Sequence, residues 1–177
     1  MTEDVNFSEV SEESIMTRAK EVALRSPDGF LAFGFGSGLL SRAPGTMGTV
    51  AAVPFAFAIP LLDGFTLLVF LTIAFFGGSW ICQRVAQRLG VEDYGGIVWD
   101  EMVGYWIAVA WLPIQWPWLL AAFVLFRFFD IVKPWPISAI DAEIGGGFGI
   151  MLDDVLAGLY TAILLSGAHM AFFSQGP

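Results

Sequence analysis

FTLLVFLTIAFFGGSWIC, at residues 65–82, contains no acidic or basic side chain. A helix needs about 20 mostly apolar residues to cross a bilayer, and the uncharged run around this stretch, 64–83, reaches that length. Three more stretches lack Asp, Glu, Lys and Arg, at 43–62, 102–126 and 155–177. The sequence therefore predicts an all-α, multi-pass membrane protein in which some helices are short or broken by proline.

The stretch at 102–126 differs from the others because Pro113 and Pro117 lie in its middle, with Trp111, Trp116 and Trp118 around them. Proline ends or kinks a helix, and tryptophan is enriched at the membrane–water interface. This pattern predicts two shorter helices that meet at an interface.

Composition agrees with a membrane protein. Of 177 residues, 56% are hydrophobic and 14% are charged, whereas a soluble domain carries about 25% charged residues. A compact soluble protein with very hydrophobic core helices is the alternative. The net charge of −9 argues against a nucleic-acid partner, because binding to phosphates needs clustered Lys and Arg.

Residues 1–27 are predicted to be a separate acidic lead-in, and residues 28–177 the membrane-embedded domain. Apolar residues at 15, 16, 19, 22 and 23 predict a short, solvated amphipathic helix in the lead-in, with disorder before about residue 10. Basic residues precede the first apolar run, at Arg18, Lys20, Arg25 and Arg42. Such a basic flank usually stays in the cytoplasm.

Two acid pairs persist beside the apolar runs, Asp100-Glu101 and Asp153-Asp154. A glycine follows each pair, four residues after Asp100 and four after Asp154, and positions i and i+4 share a helix face. Each glycine leaves room for a metal, a phosphate or a close helix backbone. Converging carboxylates are the ligands that Mg²⁺ prefers. In the alternative interpretation these acids only mark helix N-termini, where the helix dipole favours them.

Arg127, Asp130 and Lys133 recur every three residues and are predicted to share one helical face, with Asp130 between two cations. A guanidinium and an ammonium on one face can clamp a phosphate. The alternative is a salt-bridge ladder at the membrane boundary. Two glycine-rich segments, 43–49 and 145–149, are predicted loops whose backbone N–H groups can face an anion.

At these positions the chain resembles the phosphatidylglycerophosphatase A family. The matching segments are GFGSGLLSRAPGTMGT (34–49), IVWDEMVGYW (97–106), FRFFDIVKPWPI (126–137) and GGFGIMLDDVLAGL (146–159). The resemblance implies a Mg²⁺-dependent lipid phosphatase of phosphatidylglycerol and cardiolipin synthesis, which hydrolyses phosphatidylglycerophosphate. It also implies a bacterial cytoplasmic (inner) membrane protein with its active site on the cytoplasmic side, and no nucleotide cofactor.

The residues and the resemblance together lead to one hypothesis for the site. Its catalytic and metal-binding carboxylates are Asp100, Glu101, Asp130, Asp153 and Asp154. The terminal phosphate is bound by Arg127, Lys133, Gly45, Thr46, Gly48 and Thr49. Asp141 supports a ligand from a second layer.

Two other functions are open at this point. An ion- or proton-coupled transporter also uses intramembrane acids, and it predicts acids staggered across the bilayer. A lipid phosphotransferase that uses a CDP-alcohol is the other, but its D-G-x2-A-R…G-x3-D-x3-D string is absent from the sequence.

Overall fold

A computed structural model describes residues 12–40, 42–91 and 94–173. Within these ranges the chain is helical, and no strand occurs. The predicted all-α fold class is confirmed. The predicted disorder before residue 10 lies outside the described residues. The helices are α1 (Glu12–Arg25), α2 (Pro27–Ala32), α3 (Pro44–Ala56), α4 (Gly64–Leu89), α5 (Trp99–Val109), α6 (Trp116–Val132), α7 (Ile137–Glu143) and α8 (Gly146–Phe173).

Three of the described segments are long and apolar enough to cross a membrane, at Pro44–Leu61, Gly64–Leu89 and Gly146–Ala171. The outward face of α4 supports this placement, because Leu68, Ile73 and Phe76 are exposed there. A contiguous apolar surface of this kind marks contact with lipid or a partner in a helical protein. The structure therefore favours a membrane protein over a soluble bundle.

The uncharged stretch at 102–126 forms two helices, as its prolines predicted. α5 ends at Val109 and α6 begins at Trp116. Trp111 and Trp116 are both exposed at this junction, as expected for side chains at a membrane–water interface.

α5 is the centre of the molecule. It packs against α8, α3, α6 and α4, and every residue from Met102 to Val109 is buried. Its start is held by two hydrogen bonds, from the Val98 N–H to the Ala32 carbonyl (2.9 Å) and from the Trp99 indole to the Ala74 carbonyl (3.1 Å). The acids that follow Trp99 are thereby held in a set position.

The lead-in helix α1 forms where the apolar spacing predicted it, but it is not a solvated appendage. Ala19 and Ala23 are fully buried, and α1 packs against α2 and α4. Small side chains allow this close approach. The division of the chain at residue 27 stays a prediction.

Candidate active site

Three carboxylates converge at one end of the bundle. Asp100 and Glu101 lie in the first turn of α5, and Asp154 projects from α8. One oxygen of each lies within 4.8 Å of the others. Asp154 is two turns inside α8, which begins at Gly146, so a favourable helix dipole accounts only for the α5 pair.

These carboxylates leave buried oxygens without partners. Asp100 Oδ1, Glu101 Oε2 and Asp154 Oδ1 are buried, and none makes a hydrogen bond to the described residues. Buried, unpaired carboxylates are costly, and a hard divalent cation with oxygen ligands would offset that cost. The donor set therefore fits Mg²⁺.

Asp130 and Arg127 reach the same end from the last turns of α6. They form an ion pair with each other, and Arg127 Nη1 also lies 3.7 Å from Glu101 Oε1. The buried Arg127 Nε donates no hydrogen bond to the described residues. Arg127 therefore keeps donor capacity beside the three carboxylates, while Asp130 is held by Arg127.

Lys133 caps α6 with a left-handed backbone (φ 44°). Among the described residues its ammonium pairs with two other carboxylates and not with Asp130, so the expectation that Asp130 lies between two cations is wrong. Its Nζ donates to Asp141 Oδ1 and Asp153 Oδ2, each at 2.7 Å. Burial alone would lower the pKa of Lys133, but these two carboxylates raise it.

A polar cavity of about 220 Å³ opens beside this cluster. Its walls include Asp100, Asp141 and Asp153, together with the backbone at Gly145 and Gly146. Asp141 and Asp153 thus line the same space as Asp100, one of the three converging carboxylates.

The predicted glycine loops are helical instead. Pro44 starts α3, because its fixed φ suits the first helical position. A Cβ at Gly45 would lie 2.1 Å from Glu101 Oε1 and 3.0 Å from Arg127 Nη1, so a side chain there would displace the Glu101 carboxylate. The segment 145–149 likewise leads directly into α8.

The other three residues expected at the phosphate divide between two places. Thr46 lines a groove with Arg127. Gly48 packs against Val98, and the Thr49 hydroxyl donates back to the Gly45 carbonyl (2.9 Å) inside the helix. Gly48 and Thr49 therefore support the helix, whereas Gly45 and Thr46 lie beside Arg127. Phosphate binding by these residues stays a prediction.

The two glycines that follow the acid pairs allow close helix packing. A Cβ at Gly158 would lie 2.3 Å from the Gly104 carbonyl oxygen, and a Cβ at Gly104 would lie 2.7 Å from the Asp154 carbonyl oxygen. Of the three uses that the spacing allowed, the structure shows the close backbone. This contact brings Asp154 to the α5 acids.

Sequence reasoning missed one polar anchor. Gln83, within α4, accepts a hydrogen bond from the Gly147 N–H at 2.6 Å and so ties the start of α8 to α4. The sequence did contain a signal for this contact, namely a glutamine within a predicted membrane span, because an amide side chain there needs a hydrogen-bond partner inside the protein.

Comparison with known proteins identifies relatives. The family model for phosphatidylglycerophosphatase A matches residues 30–169. A phosphatidylglycerophosphatase A of Haemophilus influenzae is 47% identical over 148 residues, which cover 82% of this chain and 91% of that protein. The corresponding Escherichia coli K12 protein is 44% identical, over 86% of this chain and 92% of its own length.

A Bacteroides thetaiotaomicron protein, provisionally named as a phosphatidylinositol-3-phosphatase, is 43% identical over 77% of this chain and 89% of its own length. No solved structure matches the chain.

Proposed function

The chain belongs to the phosphatidylglycerophosphatase A family, and on this premise we propose that it hydrolyses phosphatidylglycerophosphate to phosphatidylglycerol and inorganic phosphate. The observation that carries the proposal is the convergence of Asp100, Glu101 and Asp154 within 4.8 Å beside the Arg127 guanidinium. Oxygen ligands next to a cation are what phosphoryl transfer uses, since its catalysis is mainly positioning and charge stabilisation.

Asp100, Glu101 and Asp154 would hold Mg²⁺, with Asp130 and Asp153 adjacent. A bound Mg²⁺ supplies Lewis acidity toward the phosphoryl oxygens and lowers the pKa of a coordinated water. The carboxylates contribute the orphaned oxygens described above. Asp130 aligns Arg127 through their ion pair.

Arg127 and Lys133 bind the terminal phosphate. The guanidinium presents planar paired donors, and its buried Nε is not used by the described residues. An ammonium has three donors, of which Lys133 gives one each to Asp141 and Asp153. Its third donor is left for the phosphate.

Hydrolysis transfers the terminal phosphoryl group to water. The water oxygen bonds to phosphorus, the bond from phosphorus to the glycerol oxygen breaks, and the leaving oxygen takes up a proton. The cavity beside Asp100 and Asp153 admits the water, and a carboxylate in its wall accepts the water's proton. Acid quenching during turnover should trap no phosphorylated protein; a trapped aspartyl-phosphate would replace water with a carboxylate nucleophile.

We place the site on the cytoplasmic side of the bacterial inner membrane. The first turn of α3 touches the acid cluster through Gly45, and Arg42 stands directly before this helix. Together with Arg18, Lys20 and Arg25 it forms the basic flank that stays cytoplasmic. The cluster therefore faces the same compartment as that flank.

Phosphate release tests the proposal. The purified protein in mixed detergent–lipid micelles is given phosphatidylglycerophosphate, phosphatidate or phosphatidylinositol 3-phosphate, each with Mg²⁺ and with chelator. We expect Mg²⁺-dependent release from phosphatidylglycerophosphate, and none from an Asp154→Asn variant. Release only from phosphatidylinositol 3-phosphate would transfer the proposal to that substrate, and release from none would overturn it.

The geometry does not favour a transporter. The charges on the first turn of α5, the last turns of α6 and the early turns of α8 lie at one end of the bundle. A relay needs acids spread across the bilayer. Proton or cation flux into vesicles that contain the protein should therefore stay at the rate of empty vesicles.

A further inference from the structure

An apolar groove runs between α3 and α6 on the outside of the bundle. The two helices are antiparallel, because Gly45 at the start of α3 lies beside Arg127 near the end of α6. At the opposite end Phe57 packs edge-to-face on Trp116, with ring centroids 5.3 Å apart. The groove thus follows nearly the whole of both helices.

Two adjoining cavities make up this groove and share Phe123 as a wall. One, of about 270 Å³, includes Val50, Val53 and Leu119 in its lining. The other, of about 370 Å³, leads on toward Arg127. From Trp116 to Arg127 the groove follows about 11 residues of α6, or roughly 16 Å at 1.5 Å per residue, which is about one leaflet of a roughly 30 Å hydrocarbon core.

Thr46 and Arg127 lie in the lining of the cavity nearer the carboxylates, which continues past them to the apolar Ile131 and Val132. The cavity from Val50 to Trp116 is lined by apolar and aromatic side chains. From Arg127 toward Trp116 the lining therefore passes from polar to apolar. An anionic head followed by an alkyl chain has the same order of polarity. Arg127 belongs to both features, since it lines the groove and lies 3.7 Å from Glu101.

We propose that the α3–α6 groove binds one acyl chain of the glycerophospholipid substrate while the headgroup phosphate lies beside Arg127. This inference rests on the proposed lipid phosphatase function. A lipid tail in a membrane is already in apolar surroundings, so the groove contributes orientation of the reacting phosphate rather than affinity. Bulk lipid or a second copy of the chain are the competing occupants.

Filling the groove tests the proposal. Val50, which is 45% exposed, is replaced by Trp, and the matched control is Ile73→Trp on the outward face of α4, where Ile73 is 67% exposed. Each protein is assayed on phosphatidylglycerophosphate with two oleoyl chains in micelles and with two hexanoyl chains in solution. For Val50→Trp we expect kcat/KM on the long-chain lipid to fall at least about ten-fold, because misplacing a reacting group is that costly.

The short-chain rate should stay within about two-fold of wild type, because a short chain needs little of the groove's length, and Ile73→Trp should change neither rate. Equal losses of kcat/KM in Val50→Trp and Ile73→Trp, or equal losses on the long-chain and short-chain substrates, would overturn the proposal that the groove binds an acyl chain. A Val50→Trp variant that turns an oligomer into a monomer by light scattering would also overturn it, in favour of a second copy.

A Val50→Cys variant labelled with a bulky maleimide after purification covers the case in which Val50→Trp does not fold, since Cys82 is buried. The label should reproduce the selective loss on the long-chain lipid, and no loss would overturn the groove. Failure of the proposed function is a separate result, because the wild type would then release no phosphate from either substrate.

Discussion

At the residue scale, Asp100, Glu101 and Asp154 combine burial with like charge. Each has a buried oxygen without a partner among the described residues, and their ligand oxygens lie within 4.8 Å. Such an arrangement destabilises the fold unless a cation joins it. Residues that cost stability in this way point to a role in catalysis. A single substitution among them should therefore lower activity without lowering stability.

Replacing Asp154 with Asn should lower phosphatase kcat by at least about 100-fold, in the range seen when a group that stabilises transition-state charge is removed. Thermal stability without added metal should be unchanged or higher, since one buried like charge is lost. Asp63→Asn is the matched control, because Asp63 caps α4 on the exposed surface. Near wild-type turnover in Asp154→Asn would remove this residue from the site.

Asp141 and Asp153 both pair with the Lys133 ammonium, but they should differ in how much each contributes to activity. Both lie 2.7 Å from Lys133 Nζ, with side chains 47% and 10% exposed, respectively. An exposed ion pair contributes about 0–1 kcal/mol, so Asp141→Asn should lower kcat/KM less than about ten-fold. Asp153→Asn, beside Asp100 in the cavity wall, should cost about 100-fold or more. Steady-state kinetics at saturating Mg²⁺ distinguish the two, and equal losses would contradict this ranking.

At the element scale, glycine sets the distance between α5 and α8. Gly104 and Gly158 face each other, and this approach brings Asp154 to Asp100. The same helices would align their acids poorly if a side chain stood between them.

Gly158→Ala should destabilise the protein by about 1–3 kcal/mol, the usual cost of overpacking. Its Cβ would lie 2.3 Å from a backbone oxygen of Gly104, which cannot rotate away. Gly167→Ala in the same helix has open space around its Cβ and should be neutral or stabilising by up to about 1 kcal/mol. Thermal unfolding in detergent compares them, and similar melting temperatures for the two variants would contradict the close-contact role.

The packing of α2 against α4 is supported by Asp28, which pairs with Arg84 (3.2 Å) and Arg88 (2.9 Å). Partial burial raises the pKa of Asp28, but hydrogen bonds from Ser26, Arg88 and the Gly29 N–H lower it further than burial raises it. A carboxyl with a lowered folded-state pKa contributes stability above its unfolded pKa of about 3.9, and this is lost as pH falls through the folded value.

Asp28→Asn should therefore lower stability at pH 7 by less than about 1 kcal/mol, the range for surface ion pairs. The difference from wild type should begin to shrink as pH falls through about 3.9 and should vanish below the lowered folded-state pKa. Melting temperatures of both proteins between pH 2 and 8 provide the check. A difference that stays constant from pH 7 down to pH 2 would show that the Asp28 charge is not the cause.

At the scale of the whole molecule, charge is collected at one end of an apolar bundle. α5 packs against α3, α4, α6 and α8. The positions of the acids at its start therefore depend on the packing of the whole bundle. Ligand binding at that end should stabilise the whole fold.

Mg²⁺ at about 100 times its dissociation constant should stabilise the protein by about 2.7 kcal/mol, from binding to the folded state alone. The shift should be lost in Asp154→Asn and kept in Asp63→Asn. Thermal unfolding with MgCl₂ or with chelator at equal ionic strength measures it. An equal shift in all three proteins would point to a general ionic effect.

The helices themselves were predictable from local patterns. The apolar run around residues 65–82 predicts a span by length alone, and α4 encloses it between its caps Asp63 and Gly90. Pro113 and Pro117 likewise predict the break between α5 and α6. These signals are local, because propensity, capping and hydrophobic length each act within a few turns.

The sequence by itself determined that the protein is a helical membrane protein and where helices end near prolines and glycines. It also determined which acids lie beside apolar runs, where a charge is costly and therefore points to function. Only the tertiary structure decided that Lys133 pairs with Asp141 and Asp153 rather than with Asp130, and that Gly48 and Thr49 support α3. Lys133 caps the end of α6, and its ammonium reaches Asp141 on α7 and Asp153 on α8. Pairings of that kind depend on how α5, α6 and α8 pack, which local periodicity does not encode.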